Sequence, residues 1–165
     1  MSKTALRLIL GITLCIAVCY FAAVDIHANQ TNNIQRDNVL KDENIGKVND
    51  VRALIYGWID AWRHKDIEKY ISFYSPKFQT KDYDYSGWLK KKSKLFQKPG
   101  KISVEIFYLG VFIKNDYAYA SFIQKYKDRH HEDIGEKNMV WAHSNGKWEI
   151  VSEDWKRLSS EGVRR

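Results

Sequence analysis

The spacing of apolar residues changes at Pro99-Gly100, and this change limits the folds that the chain can adopt. Between Lys47 and this point, apolar residues recur every three or four positions, which is typical of amphipathic helices. After it, apolar and polar residues alternate in long runs, which is typical of strands. Helices followed by consecutive strands predict an α+β domain with an antiparallel sheet.

Three helices are predicted before the change. The first runs from Lys47 to about His64, and its apolar stripe consists of Val48, Val51, Ile55, Trp58 and Trp62. Asp66 caps a second helix, which Pro76 ends because proline cannot continue a helix. The third lies between Asp84 and Pro99, and a short strand is predicted at residues 78–80.

Four strands are predicted after the change, at residues 102–112, 117–127, 137–144 and 147–157. A polar loop at residues 128–136 and the pair Asn145-Gly146 connect the later strands. Asn-Gly between alternating runs is the strongest short signal for a hairpin. The first strand is apolar on both faces, which predicts burial on both sides.

The N-terminus has the layout of an export signal. Lys3 and Arg7 precede an uncharged run from Leu8 to Val24, and Ala28 supplies a small residue for cleavage. We therefore predict a signal peptide at residues 1–28, or a retained membrane anchor in its place. The protein is expected to be exported, either periplasmic or secreted, with the anchored form as the alternative.

The segments around the predicted domain are polar. Residues 29–46 are rich in Asn and are predicted to be a flexible tether, and residues 159–165 a C-terminal tail. Cys15 and Cys19 both lie in the signal. The expected mature chain therefore has no thiol for a disulfide, a nucleophile or a metal site.

The chain is basic, with a formal net charge of +7, and such charge favours anionic partners. A basic patch is predicted on the third helix at Lys90, Lys91, Lys92 and Lys94. It is interpreted either as a solvated helix face or as a surface for an anionic envelope polymer or membrane. The sequence contains no nucleic-acid motif, so nucleic acid is not an expected partner.

Three stretches carry a resemblance to a known family. They are WIDAWRHKDIEKYISFYSPKF at residues 58–78, YAYASFIQKY at residues 117–126 and KNMVWAHSNGKWEIVSEDW at residues 137–155. With the order of elements, they resemble the nuclear transport factor 2-like superfamily over residues 47–158. The resemblance is nearest to the C-terminal accessory domain of exported L,D-transpeptidase-like proteins. It implies N-terminal helices packed on a curved antiparallel sheet that forms a cone with a pocket.

Candidate site residues follow from the expected pocket. The predicted pocket or binding residues are Trp62, Tyr83, Trp88, Gln124, Tyr126, Trp141 and Trp155. Glu153 is the one carboxylate expected to point inward late in the sheet, and with His143 it is a weak candidate for a general base. A single inward glutamate is also commonly paired with a lysine or arginine.

No metal or cofactor is predicted. His130-His131-Glu132-Asp133 resembles a metal cluster, but the side chains of adjacent loop residues diverge, whereas zinc ligands are usually spaced. We interpret the segment as a solvated hairpin loop.

Two functions remain open at this point. The first is an exported, non-catalytic binding or accessory domain that acts in the cell envelope on peptidoglycan or a partner protein. The alternative is a small pocket enzyme, similar to an isomerase or dehydratase. An enzyme needs a buried titratable group with an orienting partner, and a binding module does not. Self-association as a homodimer through the open sheet face is also considered.

Overall fold

The computed structural model describes the backbone of residues 3–158, and side chains at residue 33 and residues 35–158. The chain divides into two compact units, Met1–Asn44 and Ile45–Arg165. The side chains of the predicted signal at residues 1–28 and the tail at residues 159–165 lie outside the described part. Across the described residues, no helical segment is long and apolar enough to cross a membrane.

Helix α1 spans Lys3–His64 and therefore begins well before the predicted start at Lys47. Residues 29–46, predicted to be an irregular tether, are helical. The segment contains no proline, and a helix satisfies its backbone hydrogen bonds internally without tertiary contacts. The described side chains from residue 35 to residue 46 are exposed, which agrees with the absence of an apolar stripe.

Two short helices follow at the predicted places. Helix α2 spans Ile67–Ile71 and is capped by Asp66, whose carboxylate accepts a hydrogen bond from Lys69 N at 3.0 Å. Helix α3 spans Tyr85–Gln97 and is capped by Asp84, which accepts from Gly87 N at 2.8 Å. These acceptors satisfy backbone donors that a helix leaves free at its first turn.

A four-stranded antiparallel sheet completes the domain, in the order β1-β2-β3-β4. Strand β1 spans Ser103–Lys114, β2 Tyr117–Lys127, β3 Glu132–Ser144 and β4 Lys147–Arg157. Asn145 and Gly146 form the predicted β3–β4 turn with φ angles of 52° and 75°. The predicted α+β architecture of the nuclear transport factor 2-like cone is confirmed.

Two details of the strand prediction are wrong. The loop predicted at residues 128–136 is shorter, because β3 already begins at Glu132. Glu132 pairs with Lys127 in register, and its carboxylate oxygens lie 3.1 Å from Lys125 Nζ and 3.1 Å from Lys127 Nζ, which extends the hairpin. No strand forms at residues 78–80, where Phe78 is buried in the core instead.

Both edges of the sheet are modified. In β1, Tyr108 and Leu109 form a bulge between the paired residues Phe107 and Gly110, and Tyr108 has a φ of 57°. At the β4 edge, the start of the α2–α3 connection runs alongside Ile150. Ile150 N donates to Phe73 O at 2.8 Å and Ser75 N donates to Ile150 O at 2.9 Å.

The two faces of the sheet have different surroundings. The inner face packs on α1, α2 and α3 around Trp58, Tyr70 and Trp141, all fully buried. The outer face is not covered by any described element. Its exposed aromatic residues include Phe107, Phe112, Tyr117 and Tyr119. The prediction that β1 is buried on both faces is therefore wrong, and its outer face forms a shallow groove with a volume of about 520 Å³.

Candidate functional site

A group of polar residues lies on the inner face of the sheet, and helix and strand periodicity place them there. In α3, Lys92 is one turn from both Trp88 and Phe96, which are buried. In β3, Lys137 alternates with the inward residues Met139 and Trp141. Residues four apart share a helix face, and alternate residues share a strand face, so the lysines point inward.

Glu153 is the anion of this group. Its Oε2 lies 2.8 Å from Lys137 Nζ, and both side chains are buried. Tyr74 donates its hydroxyl proton to the same oxygen at 3.1 Å. Tyr74 Oη also accepts from Trp58 Nε1 at 2.9 Å and lies 3.0 Å from Tyr70 Oη. We call Tyr70, Tyr74, Lys92, Lys137 and Glu153 the interior cluster.

Lys92 is the second cation of the interior cluster. Its Nζ lies 4.8 Å from the centroid of the Trp62 ring and 5.4 Å from that of Tyr70. A lysine over an aromatic face is attracted by the negative charge of the ring. Among the described residues, Lys92 forms no ion pair with a carboxylate at contact distance, so two lysines face one glutamate.

The lysines keep Glu153 ionised. Burial alone would raise the pKa of Glu153, but the charges of Lys137 and Lys92 and the hydrogen bonds from Lys137 and Tyr74 outweigh burial and lower its pKa to about 2. A carboxylate of this pKa is a poor proton acceptor at neutral pH, because it holds a proton too weakly. The geometry therefore does not provide a tuned general base at Glu153.

Tyr70, Tyr74 and Lys92 have pKa values shifted in the directions that burial dictates. Burial lowers the pKa of Lys92 to about 8, although the charge of Glu153 opposes this change. Burial also raises the pKa of Tyr70 and Tyr74 well above the usual tyrosine range, and the charge of Glu153 adds to it. Both tyrosines therefore stay protonated at neutral pH.

Several polar atoms around the cluster are buried without a hydrogen-bond partner within the described structure. They are Gln124 Oε1 and the indole nitrogens of Trp62, Trp88, Trp141 and Trp155. Unpaired buried donors and acceptors cost free energy unless a bound water molecule or a ligand satisfies them. Of the four tryptophans, Trp62 is the one whose ring lies within 4.8 Å of Lys92 Nζ.

Four of the predicted pocket residues lie close to the interior cluster or are linked to it. The ring centroids of Trp62 and Tyr126 are 5.5 Å apart, and Lys92 Nζ lies over the Trp62 ring. Gln124 is buried and its neighbour across the β2–β3 pair is Gly135. The half-buried Trp155 ring lies over Gly135, where an added Cβ would come 2.7 Å from ring carbons. Glycine at this position therefore allows the indole to approach the sheet.

The other predicted pocket residues have different surroundings. Trp88 and Trp141 are buried in the core. The ring centroids of Trp88 and Tyr74 are 4.2 Å apart, and those of Trp141 and Phe73 are 6.5 Å apart. Tyr83 is exposed, with Lys91 Nζ 4.8 Å from its ring centroid. These positions assign no binding role by themselves, and their predicted roles stay predictions.

His143 and the predicted basic patch lie outside the interior cluster, apart from Lys92. His143 is half-buried beside the β3–β4 turn, and its ring packs on Trp148 at 4.8 Å. The predicted basic patch contains three exposed lysines, Lys90, Lys91 and Lys94, but not Lys92, which turns inward. Lys92 occurs at helical spacing with Trp88 and Phe96, and this spacing was the signal for its true position.

The interior cluster has an excess of positive charge, because two lysines face one glutamate. Within the part of the chain that the structure describes, no group of three or more His, Cys, Asp or Glu side chains converges as metal ligands do. Glu153 is occupied by Lys137 and Tyr74, whereas Lys92 retains free N–H donors. A carboxylate or similar anion is therefore the ligand chemistry that the cluster suits.

Three helices packed on a curved four-stranded antiparallel sheet, with polar groups directed inward, define the NTF2-like class of α+β cone. Within this class, the model of the Cds6 C-terminal NTF2-like domain matches residues 50–154, and the chain belongs to that family. No curated protein matches the chain.

Several solved structures share the fold. Bd1075 from Bdellovibrio bacteriovorus is 28% identical with a TM-score of 0.65, and the match covers 68% of this chain and 41% of that one. Pgp2 from Campylobacter jejuni, a helical cell shape determining protein solved as its K307A mutant, is 21% identical with a TM-score of 0.57. That match covers 62% of this chain and 38% of Pgp2. An NTF2-like protein of unknown function from Pseudomonas putida is 17% identical with a TM-score of 0.63, and the match covers 73% of this chain and 93% of that one. The chain thus spans about two fifths of Bd1075 and Pgp2.

Proposed function

We propose that this protein is an exported, non-catalytic accessory domain that binds peptidoglycan in the cell envelope through the interior cluster. Free carboxylates on the peptide stems of peptidoglycan supply the anion, and Lys92 is their cation. The resemblance to accessory domains of L,D-transpeptidase-like proteins supports this role, as does the similarity to a cell shape determining protein. The export pattern at Lys3, Arg7 and Ala28 supports the location.

The observation that carries the proposal is the charge imbalance of the interior cluster. Lys137 and Tyr74 already satisfy Glu153, so Lys92 adds a positive charge over the rings of Trp62 and Tyr70. Burying a charge is unfavourable unless it is paired. A ligand carboxylate that pairs with Lys92 would remove this cost, and the aromatic rings would contact the apolar part of the ligand.

A Lys92→Met variant tests this role. Methionine keeps the length and the apolar stem of lysine but removes the charge. We expect it to weaken binding to purified peptidoglycan fragments by about tenfold or more, since a hydrogen bond to a charged group contributes about 1.5–3 kcal/mol. Isothermal titration calorimetry gives the dissociation constant, and circular dichroism checks the fold.

The matched control is Lys114→Met, which removes an exposed lysine from the end of β1. It should leave the dissociation constant within about twofold, because exposed charges at a distance are screened. Equal weakening in both variants would show that only net charge matters, and would contradict a site at Lys92.

The enzyme alternative makes a different prediction. A pocket isomerase or dehydratase would need Glu153 or His143 to move a proton. We expect peptidoglycan binding to survive in His143→Ala, and in Glu153→Gln under conditions where it is folded. Loss of biological function from Glu153→Gln with unchanged binding and an intact circular dichroism spectrum would favour the enzyme instead.

The proposed location has its own test. N-terminal sequencing of the protein from exported fractions should give a mature start at or near Asn29, as the signal pattern predicts. An exported form that keeps residues 1–28 would indicate the membrane anchor. Recovery of the full-length protein as a soluble cytoplasmic species would contradict export.

A further inference from the structure

A second polar site lies at the end of the domain where α1, the α3–β1 connection and the β2–β3 hairpin meet. Here the surface forms a cleft with a volume of about 290 Å³. We call it the basic cleft, and its lining includes Lys65, Lys98, Lys101, Arg129, His130 and His131. The basic cleft is distinct from the interior cluster and from the basic patch on α3.

The charge of the basic cleft is strongly positive. Lys98 and Lys101 from the α3–β1 connection line the cleft together with Lys65 and Arg129. Asp128 is the carboxylate of the lining. Its Oδ1 accepts from the backbone N–H groups of His130 and His131, each at 2.8 Å, and its Oδ2 accepts from Tyr126 Oη at 2.9 Å. Asp128 is thus occupied by the hairpin itself.

Neighbouring contacts fix the walls of the basic cleft. Lys65 Nζ donates to the backbone carbonyl of Lys98, which joins the end of α1 to the α3–β1 connection. Arg129 Cβ lies 3.4 Å from the position that a Cβ on Gly100 would take, so the hairpin packs on the same connection. His131 Nε2 lies 2.7 Å from Asp133 Oδ2. The cations are therefore held on three segments that contact one another.

We propose that the basic cleft binds a phosphate group. The basic cleft has four cations, from three lysines and Arg129, against the one carboxylate of Asp128. This excess of positive charge suits an anion of higher charge than a single carboxylate. A phosphate monoester carries a charge of about −1.5 to −2 at neutral pH and offers three acceptor oxygens. The planar guanidinium of Arg129 matches two of these oxygens at once, and the lysines bind as point charges. The site does not depend on peptidoglycan binding at Lys92.

The test compares two double variants of the full mature chain that remove the same charge. Lys101→Gln/Arg129→Gln removes two exposed cations of the basic cleft, and Lys81→Gln/Lys114→Gln removes two exposed lysines elsewhere. Inorganic phosphate is titrated by calorimetry at low salt, with acetate as a control for charge alone. Vesicles containing phosphatidic acid form a second arm, which separates a lipid headgroup from free phosphate.

We expect saturable binding in at least one phosphate arm, weakened about tenfold or more by Lys101→Gln/Arg129→Gln and changed less than about twofold by Lys81→Gln/Lys114→Gln. The arm with the tighter binding identifies the source of the phosphate. Equal weakening by both double variants, equal binding of acetate, or no saturable binding in either arm would overturn the proposal. Peptidoglycan binding by the Lys101→Gln/Arg129→Gln variant reports on the separate site at Lys92.

Discussion

Glu153 and Lys137 form a buried ion pair. The two side chains differ in whether they have a second hydrogen-bond partner. Glu153 has a second donor in Tyr74. Lys137 has Glu153 as its acceptor at 2.8 Å, and no other ion pair or hydrogen bond of its side chain is found in the described part of the chain. Removing the glutamate charge therefore leaves a buried ammonium group without a counterion.

We predict that Glu153→Gln lowers the free energy of unfolding by about 3–5 kcal/mol, as breaking a buried ion pair does. The double variant Lys137→Met/Glu153→Gln should recover most of this loss, because the ammonium group of Lys137 is then no longer buried without a counterion. Urea denaturation of the two single variants and the double variant gives the coupling energy. Additive losses would show that the two side chains do not stabilise each other.

The same pair predicts a dependence on acid. The pKa of Glu153 is about 2 in the folded protein, below the ordinary glutamate value of the unfolded chain. The unfolded chain therefore binds a proton first as the pH falls. The contribution of Glu153 to stability is complete above about pH 5 and is lost progressively toward pH 2. Urea midpoints over this range should fall less steeply in Glu153→Gln than in the unchanged protein.

For individual residues, the sequence predicts which face of a helix or strand a side chain lies on better than it predicts which residue that side chain pairs with. Strand alternation correctly placed Gln124, Tyr126 and Glu153 on the inner face. The position of Lys92 was missed because it adjoins Lys90 and Lys91 in a charged run, and the run was interpreted as one surface. Which lysine pairs with Glu153 depends on the register between β3 and β4, and this pairing is not encoded in either strand alone.

Helix α3 has two faces with different chemistry. Its inner face carries Trp88, Lys92 and Phe96, and its outer face carries exposed lysines. The outer face remains a candidate for contact with anionic polymers. Dissolved salt screens interactions between exposed charges, whereas it screens an interaction of the half-buried Lys92 much less.

We predict that replacing Lys90, Lys91 and Lys94 together with glutamine weakens binding to anionic envelope material at low salt. The effect should fade as the salt concentration rises, because exposed charges are screened. The Lys92→Met effect should persist at the same salt. Sedimentation assays with envelope material at low and high salt separate the two, and a triple-variant effect that does not change with salt would contradict a screened surface contact.

Helix α1 illustrates where sequence patterns fail to define an element boundary. Its apolar stripe begins near Val48, which located the start of the packed domain but not the start of the helix. Residues 35–46 are helical with exposed side chains. A helix that packs against nothing needs no apolar stripe, so apolar periodicity does not predict it. The Asn145-Gly146 turn was predictable because its conformation requires those residue types.

We predict that a chain beginning at Lys47 melts within a few degrees of one beginning at Asn29. The described side chains of residues 35–46 are exposed, so their removal takes little apolar surface out of a core. Thermal denaturation by circular dichroism provides the comparison. A large loss of stability in the shorter chain would show that residues 29–46 contribute to packing.

On the scale of the whole molecule, the outer face of the sheet exposes several aromatic side chains. Phe107, Phe112, Tyr117 and Tyr119 lie on it, beside the groove of about 520 Å³. Clusters of exposed apolar residues commonly mark interaction sites. A homodimer through this face therefore remains a prediction, and peptidoglycan or partner contacts are its alternatives.

We predict that Tyr119→Lys converts a dimer into a monomer, since a charge in an apolar interface is unfavourable and Tyr119 lies on β2 away from the sheet edges. Sedimentation velocity gives the mass of both forms. Lys81→Gln, at an exposed position outside the sheet, is the control and should not change the mass. A monomer in the unchanged protein at all concentrations would contradict self-association through the sheet.

The bulge of β1 and the segment beside β4 have a consequence for recognition by this domain. A peptide can extend a sheet only by hydrogen bonding along a free, regular edge. Tyr108 and Leu109 interrupt that regularity in β1, and Phe73 and Ser75 already use the donor and acceptor of Ile150 in β4. Partners that bind by strand addition are therefore disfavoured at the bulge of β1 and beside Ile150 in β4. At these two places recognition depends on side chains and their charges rather than on a backbone that any sequence can offer.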